Sequence, residues 1–156
     1  MAKGEGILGE YTYNLSLWIE HPDADLSDVP HKLGLPAHRI WKKGDVRTAP
    51  NGRVQGGTYK NSYCNIQFGE RHSKDLSVGL RSALAILQPH KEYLEKLSVN
   101  GVELRLFVGW YSEFNSRDIL DWKILHDMAA LKISLDLDFY GPDPIKDRES
   151  QEQTPT

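Results

Sequence analysis

A chain of 156 residues with one cysteine, 26% charged residues and a net charge of −3 has the size of one domain, able to bury roughly 68–70% of its unfolded surface without staples. The single Cys64 excludes an internal disulfide and points to a reducing, cytoplasmic setting. No apolar run nears the roughly 20 residues of a membrane helix, and the acidic balance disfavours nucleic acid as a partner.

The chain opens on GEGILG, where Gly4, Gly6 and Gly9 match the letters of a dinucleotide fingerprint. That motif works only between a strand and a helix N-terminus, and no strand precedes it here. The start also lacks the basic and apolar regions of a signal peptide, so residues 1–10 are read as a flexible arm. The run from Tyr11 to Glu20 alternates, with Tyr11, Tyr13, Leu15, Leu17 and Ile19 on one side and Thr12, Asn14, Ser16 and Trp18 on the other. Period two predicts the first half-buried strand, in which the Asn14-Leu15-Ser16 sequon carries no meaning.

After the acidic turn HPDAD, a short helix is predicted with an Asp25 or Ser27 cap, Leu26, Val29 and Leu33 inward and Gly34 as its stop. Leu35-Pro36 forces extended backbone into an edge strand ending at Trp41. The stretch KKGDVRTAPNGRVQGG, rich in Gly and Asn-Gly, reads as a mobile loop. A further strand follows over TYKNSYCNIQF. The strongest helical signal then places Leu76, Leu80, Ala83, Leu84 and Leu87 on one stripe behind a Ser73 or Asp75 cap. Pro89 starts a second short helix with Tyr93, Leu94 and Leu97 inward, closed by Asn100-Gly101.

Two alternating segments complete the pattern, one with Val102, Leu104, Leu106, Val108 and Trp110 on one side, the other with Ile133, Leu135, Leu137 and Phe139. The helical stretch from Ser116 to Lys132 joins them, with Leu120, Ile124, Met128 and Leu131 on one face. The fold expected is α+β: a single mixed sheet of four to five strands with helices on one face, a ferredoxin-like relative, forming one domain over residues 11–141. The uncovered face would carry Glu103, Arg105, Phe107, Asp136, Asp138 and Tyr140. Residues 142–156, poor in apolar side chains, are expected to be disordered.

The motif order LSDVPHKLGLPAHRIWKKGD, an alternating polar strand, DLSVGLRSALAILQPHKEYLEKL and a closing LDWKILHDMAALKISLDLDFY resembles an uncharacterised bacterial family, the domain of unknown function number 4279, over roughly residues 11–140. Its best local marker is the Leu-Pro step before Trp41, Lys42, Lys43, Gly44 and Asp45. Where a tryptophan is expected at the opening of the second main strand, this chain has Tyr59 or Tyr63. The resemblance implies the fold and brings no activity, cofactor or catalytic residue.

Chemistry must therefore be sought in the residues themselves. Asp136 and Asp138, two apart on one strand, would point the same way about 6–7 Å apart, which suits a metal site or an acid/base pair; the structural alternative pairs them with Arg105. The six histidines show no pair at helical metal spacing, and Cys64 sits mid-strand as a small hydrophobe. Residues 1–28, 29–60, 61–132 and 133–156 carry net charges of −5, +6, 0 and −4. The basic block holds Lys42, Lys43 and Arg53, and it can meet an anionic partner or lie against the acidic ends of its own chain. Trp41 beside two lysines can stack on a base or pack under the loop.

Two readings follow. The first is a non-catalytic interaction or regulatory module, an immunity-type protein included, that binds a protein partner through the open sheet face or the 38–60 segment. The second is a small hydrolase or transferase in which Lys42, Lys43 and Arg53 grip an anionic substrate and Asp45, Asp136 or Asp138 serves as base or metal ligand. No cofactor motif is present, and the oligomeric state is left open, a homodimer included.

Overall fold

The computed structural model describes residues 9–73 and 75–142. Strand β1 (Thr12–His21) is the centre of the sheet. Its Tyr13, Leu15, Leu17 and Ile19 are all buried, as strict alternation against one covered face requires. On one side it pairs antiparallel with β5 (Ser62–Gln67), setting Ile19 against Cys64 and Leu17 against Ile66. On the other it pairs antiparallel with β7 (Glu103–Tyr111), setting Leu15 against Val108 and Leu17 against Leu106. The edges are β2 (Arg39–Trp41), next to β5, and β8 (Ser134–Tyr140), parallel to β7. The two-residue β6 (His72–Ser73) joins β1 beyond the end of β5.

Among the described residues the sheet is thus mixed and six-stranded, in the order β2-β5-β1-β7-β8 with β6 off the path. The expectation of a single sheet needs correction, because β3 (Val46–Thr48) and β4 (Val54–Thr58) form a second, two-stranded sheet. They occupy the stretch expected to be a mobile loop. The turn between them is held by Ala49 N–H on Arg53 C=O at 2.8 Å and Gly52 N–H on Ala49 C=O at 2.8 Å, with Gly52 at φ 81°. Val46, Val54 and most of their neighbours are exposed, so this hairpin has no buried face to print a period on the sequence.

Helices α1 (Val29–Leu33), α2 (Leu76–Leu87), α3 (Lys91–Val99) and α4 (Trp122–Ala130) share one core with the inner side of the sheet. Gly34, at φ 65°, ends α1 as expected. Pro89 lies in a 3₁₀ turn between α2 and α3. The joining helix is shorter than the 116–132 expected: Asp121 caps α4, accepting from Lys123 N–H at 3.1 Å and Ile124 N–H at 3.0 Å.

The cap of α2 also differs. Asp75 sits at φ 58° and makes no side-chain cap, and Ser73 lies in β6. Tyr11 supplies the acceptor instead: its hydroxyl receives Leu76 N–H at 2.9 Å. Strands β5 and β7 form a split βαβ around β1, a feature shared with the expected ferredoxin-like arrangement, whereas β7, α4 and β8 form an adjacent parallel βαβ. Gly9, in the expected arm, donates to Asn115 C=O at 2.7 Å; the rest of that arm short of Glu10, and the tail from residue 143, lie outside the described residues.

Candidate functional site

The sheet face opposite the helices carries the side chains that alternate with the core: Asn14, Ser16, Trp18 and Glu20 from β1, Tyr63, Asn65 and Gln67 from β5, Arg105 and Phe107 from β7, Arg39 and Trp41 from β2. Aromatic rings run across it almost from edge to edge. Tyr59 stacks on Trp41 at 4.1 Å, Trp41 on Tyr63 at 4.3 Å, Tyr63 meets Trp18 edge-on at 5.8 Å, and Trp18 stacks on Phe107 at 4.3 Å. Cross-strand aromatic pairs of this kind add roughly 0.5–1.5 kcal/mol each beyond the area they bury.

Local hydrogen bonds fix the two ends of the run. The Tyr59 hydroxyl accepts Thr48 N–H at 3.2 Å and donates to Thr48 C=O at 3.0 Å, clipping the β3–β4 hairpin beside Trp41. The Thr48 backbone bond pulls the Tyr59 phenol below its usual value. Beside Phe107 at the other end, Trp18 Nε1 donates to Ser16 Oγ at 2.9 Å. Burial pushes the central Tyr63 phenol up to about 12.

Beside the run lies a hollow of about 360 Å³, lined by Asn14, Ser16, Trp18, Asn65, Gln67 and Phe107 among others, with Arg39, His38 and Glu70 at its margin. A space of that size accepts a side chain or a small ligand. Asn65 is only 6% exposed, yet among the described residues its buried Oδ1 has no hydrogen-bond partner. A buried carbonyl left unpaired costs about 1–3 kcal/mol. Trp41 Nε1 and Arg105 Nε are likewise buried without a partner.

Arg105 anchors the far side of this face. Its guanidinium reaches Glu20 at 3.0 Å and Asp136 at 3.2 Å and lies 5.6 Å from the centre of the Trp18 ring. Asp136 is thus engaged by Arg105. Asp138 accepts the Tyr140 hydroxyl at 2.5 Å. The remaining expected site residues lie elsewhere. Lys42 pairs with Asp25 at 3.5 Å and Lys43 with Asp23; Asp45 accepts Lys42 N–H at 2.8 Å within its own turn; Arg53 closes the hairpin turn through its backbone. Of the residues named from sequence, Trp41, Arg105, Asp136 and Asp138 share the open face, and Lys42, Lys43 and Asp45 cluster beyond β2.

Strands β2 and β8 stand at opposite edges, four strand spacings or about 19 Å apart. Among the described residues, no group of three or more His, Cys, Asp and Glu side chains is gathered closely enough to hold a metal ion. Among the same residues, no helix is long and apolar enough to cross a membrane. Sequence reasoning missed Asn65, Asn14 and Gln67 as site residues. The signal was the alternation itself, which puts them on the same face as Trp18 and Tyr63.

A family model described as a domain of unknown function, DUF4279, matches residues 10–142. No curated protein matches the chain, and no solved structure does.

Proposed function

The chain belongs to the DUF4279 family, a membership that names no activity, and from its site we propose a non-catalytic interaction module that binds a partner protein on the open face of the sheet. The observation that carries this reading is the continuous aromatic run beside a hollow on the uncovered face of the sheet. Tryptophan and tyrosine give large contact area at little entropic cost. Regulation by occlusion, as in an immunity-type protein, is the finer form of the same proposal, in a cytoplasmic setting.

The alternative of an anion-processing enzyme needs Lys42, Lys43 and Arg53 near Asp136 or Asp138. The two lysines are engaged by Asp25 and Asp23, and the aspartates stand at the opposite sheet edge. Asp45 lies nearer, but its carboxylate holds the Lys42 turn.

The test places a photo-crosslinking residue at the exposed Gln67 on the rim of the hollow, and a control at Val99, 81% exposed on α3. In an extract of the native cell, one discrete protein adduct is expected from Gln67 and none from Val99, and Trp18→Ala should abolish it. Equal adducts from both positions, or none, would defeat the proposal. A rise in Tm with divalent metals or phosphorylated compounds would favour the enzyme instead.

A further inference from the structure

Among the described residues, no strand pairs with the outer edge of β8, and that edge has an unusual composition. Leu137 is 41% exposed and Phe139 65% exposed, although both lie on the same side of the sheet as the core residues Val108 and Trp110 with which they pair. Trp122 and Leu125 on α4, the helix leading to this strand, are also exposed. The other edge, β2, has only three residues.

The direction of the backbone groups follows from one hydrogen bond. Tyr140 C=O accepts Ser112 N–H at 3.1 Å, so the backbone of Tyr140 faces β7, and by alternation so do those of Asp138 and Asp136. The N–H and C=O groups of Leu135, Leu137 and Phe139 therefore point outward. An exposed, apolar row of this kind is a template for another strand. On the opposite face Asp136 is neutralised by Arg105, whereas among the described residues no cation pairs with Asp138.

A second copy fits this edge poorly. Centred antiparallel on Leu137, Asp136 of one copy would oppose Asp138 of the other, twice, and like charges directly opposed are destabilising. We propose that β8 accepts an extended segment of a partner protein in which apolar and basic residues alternate. The apolar residues continue the core face beside Leu137 and Phe139, and the basic ones face Asp138. Recognition is by strand addition, with main-chain bonds supplying affinity and the alternating side chains supplying choice.

The inference rests on the reading of the chain as a protein-binding module but uses a different surface, which keeps the two separable. Short synthetic peptides alternating lysine with valine, or glutamate with valine, are titrated into the isotope-labelled full chain, and amide shifts and hydrogen exchange are followed. The lysine peptide should protect the amides of Leu135, Leu137 and Phe139 and bind several-fold more tightly than the glutamate peptide. Asp138→Lys should reverse that preference. Leu137→Pro removes one outward N–H and leaves the β7 ladder intact, so it should abolish binding of either peptide; if it disturbs the fold, the Asp138→Lys reversal decides. Trp18→Ala should leave peptide binding unchanged even if it abolishes the Gln67 adduct. Equal binding of both peptides, shifts centred on Asn65, no shifts at all, or edge amides already protected without peptide would each overturn the proposal.

Discussion

The phenol of Tyr11 donates to Asp118 Oδ2 at 2.5 Å while accepting Leu76 N–H at 2.9 Å, and Asp118 Oδ2 also lies 3.5 Å from Ser77 N. A residue just before β1 thus closes the N-terminus of α2 together with a carboxylate from the segment before α4. Removing the hydroxyl leaves a buried N–H unpaired. Tyr11→Phe is expected to cost about 1–3 kcal/mol in denaturant unfolding; a neutral result would mean that water or Asp118 replaces the cap.

The same carboxylate sets an acid-side dependence. Burial alone would raise Asp118, but the Tyr11 hydroxyl and the backbone N–H groups of Ile119, Ser77 and Leu76 outweigh it and hold the carboxyl below its usual value. The native state therefore binds this proton less readily than the unfolded chain. Its stabilisation is complete above the unfolded value of about 3.9 and is lost as pH falls toward the native one. An acid melt series should show a shallower loss below about pH 4 in Asp118→Asn than in the parent.

At the alkaline end the sign reverses. Burial raises the Cys64 thiol from 9.0 to about 11 and the Tyr63 phenol from 10.0 to about 12. Here the native state keeps protons that the unfolded chain has already released, so stability falls as pH rises from 9 through about 12. Cys64→Ala should flatten the part of that decline between pH 9 and 11 while leaving the later part; an unchanged slope would remove Cys64 from the account.

Leu106 and Leu137 look alike in the sequence, each in an alternating apolar row, and differ in the structure. Leu106 is fully buried on an interior strand, whereas Leu137 is 41% exposed at the edge. Leu106→Ala should cost about 2–5 kcal/mol. Leu137→Ala should cost less than about 1.5 kcal/mol, since little cavity is left and much of the side chain already meets water. Equal costs by chemical denaturation would mean that something covers the edge in solution.

That pair also marks what the sequence made legible. Alternation in β1 and β7 named the core residues and put Trp18 on the open face, because each strand has one covered side and one uncovered side. Alternation reports a side, not whether anything covers it, so the exposure of Leu137 and Phe139 was hidden. The β3–β4 hairpin was hidden for the opposite reason: with neither side covered, Val46 and Val54 write no period. Asn65 could be placed on a face, but only the pairing of β1 with β5 and β7 brings it beside Trp18 and Phe107.

Gly79 lies within α2, where glycine normally costs about 1 kcal/mol relative to alanine. Its reason is contact: a Cβ there would stand 2.2 Å from the Tyr13 hydroxyl and 3.0 Å from its Cζ. The usual sign should invert, with Gly79→Ala destabilising by about 1–3 kcal/mol. Adding Tyr13→Phe removes the closest atom and should recover part of that loss in a double-mutant cycle; full additivity would place the strain elsewhere.

The charge blocks of the sequence give the last expectation. Lys42 and Lys43 follow β2 and meet Asp25 and Asp23, which follow β1, so part of the basic block neutralises the acidic N-terminal segment of its own chain. Both pairs are exposed, and the carboxyls of Asp23 and Asp25 are held below their usual values, Asp23 chiefly by Lys43 and Asp25 chiefly by its bonds to Ser27. Lys42→Glu with Lys43→Glu would set four like charges together across the β1–α1 connection. A small fall in Tm is expected, shrinking as salt screens the repulsion. Adduct formation from Gln67 should be unaffected, because the hollow draws on neither lysine. An unchanged Tm together with a lost adduct would transfer these lysines from the protein's internal balance to its binding surface.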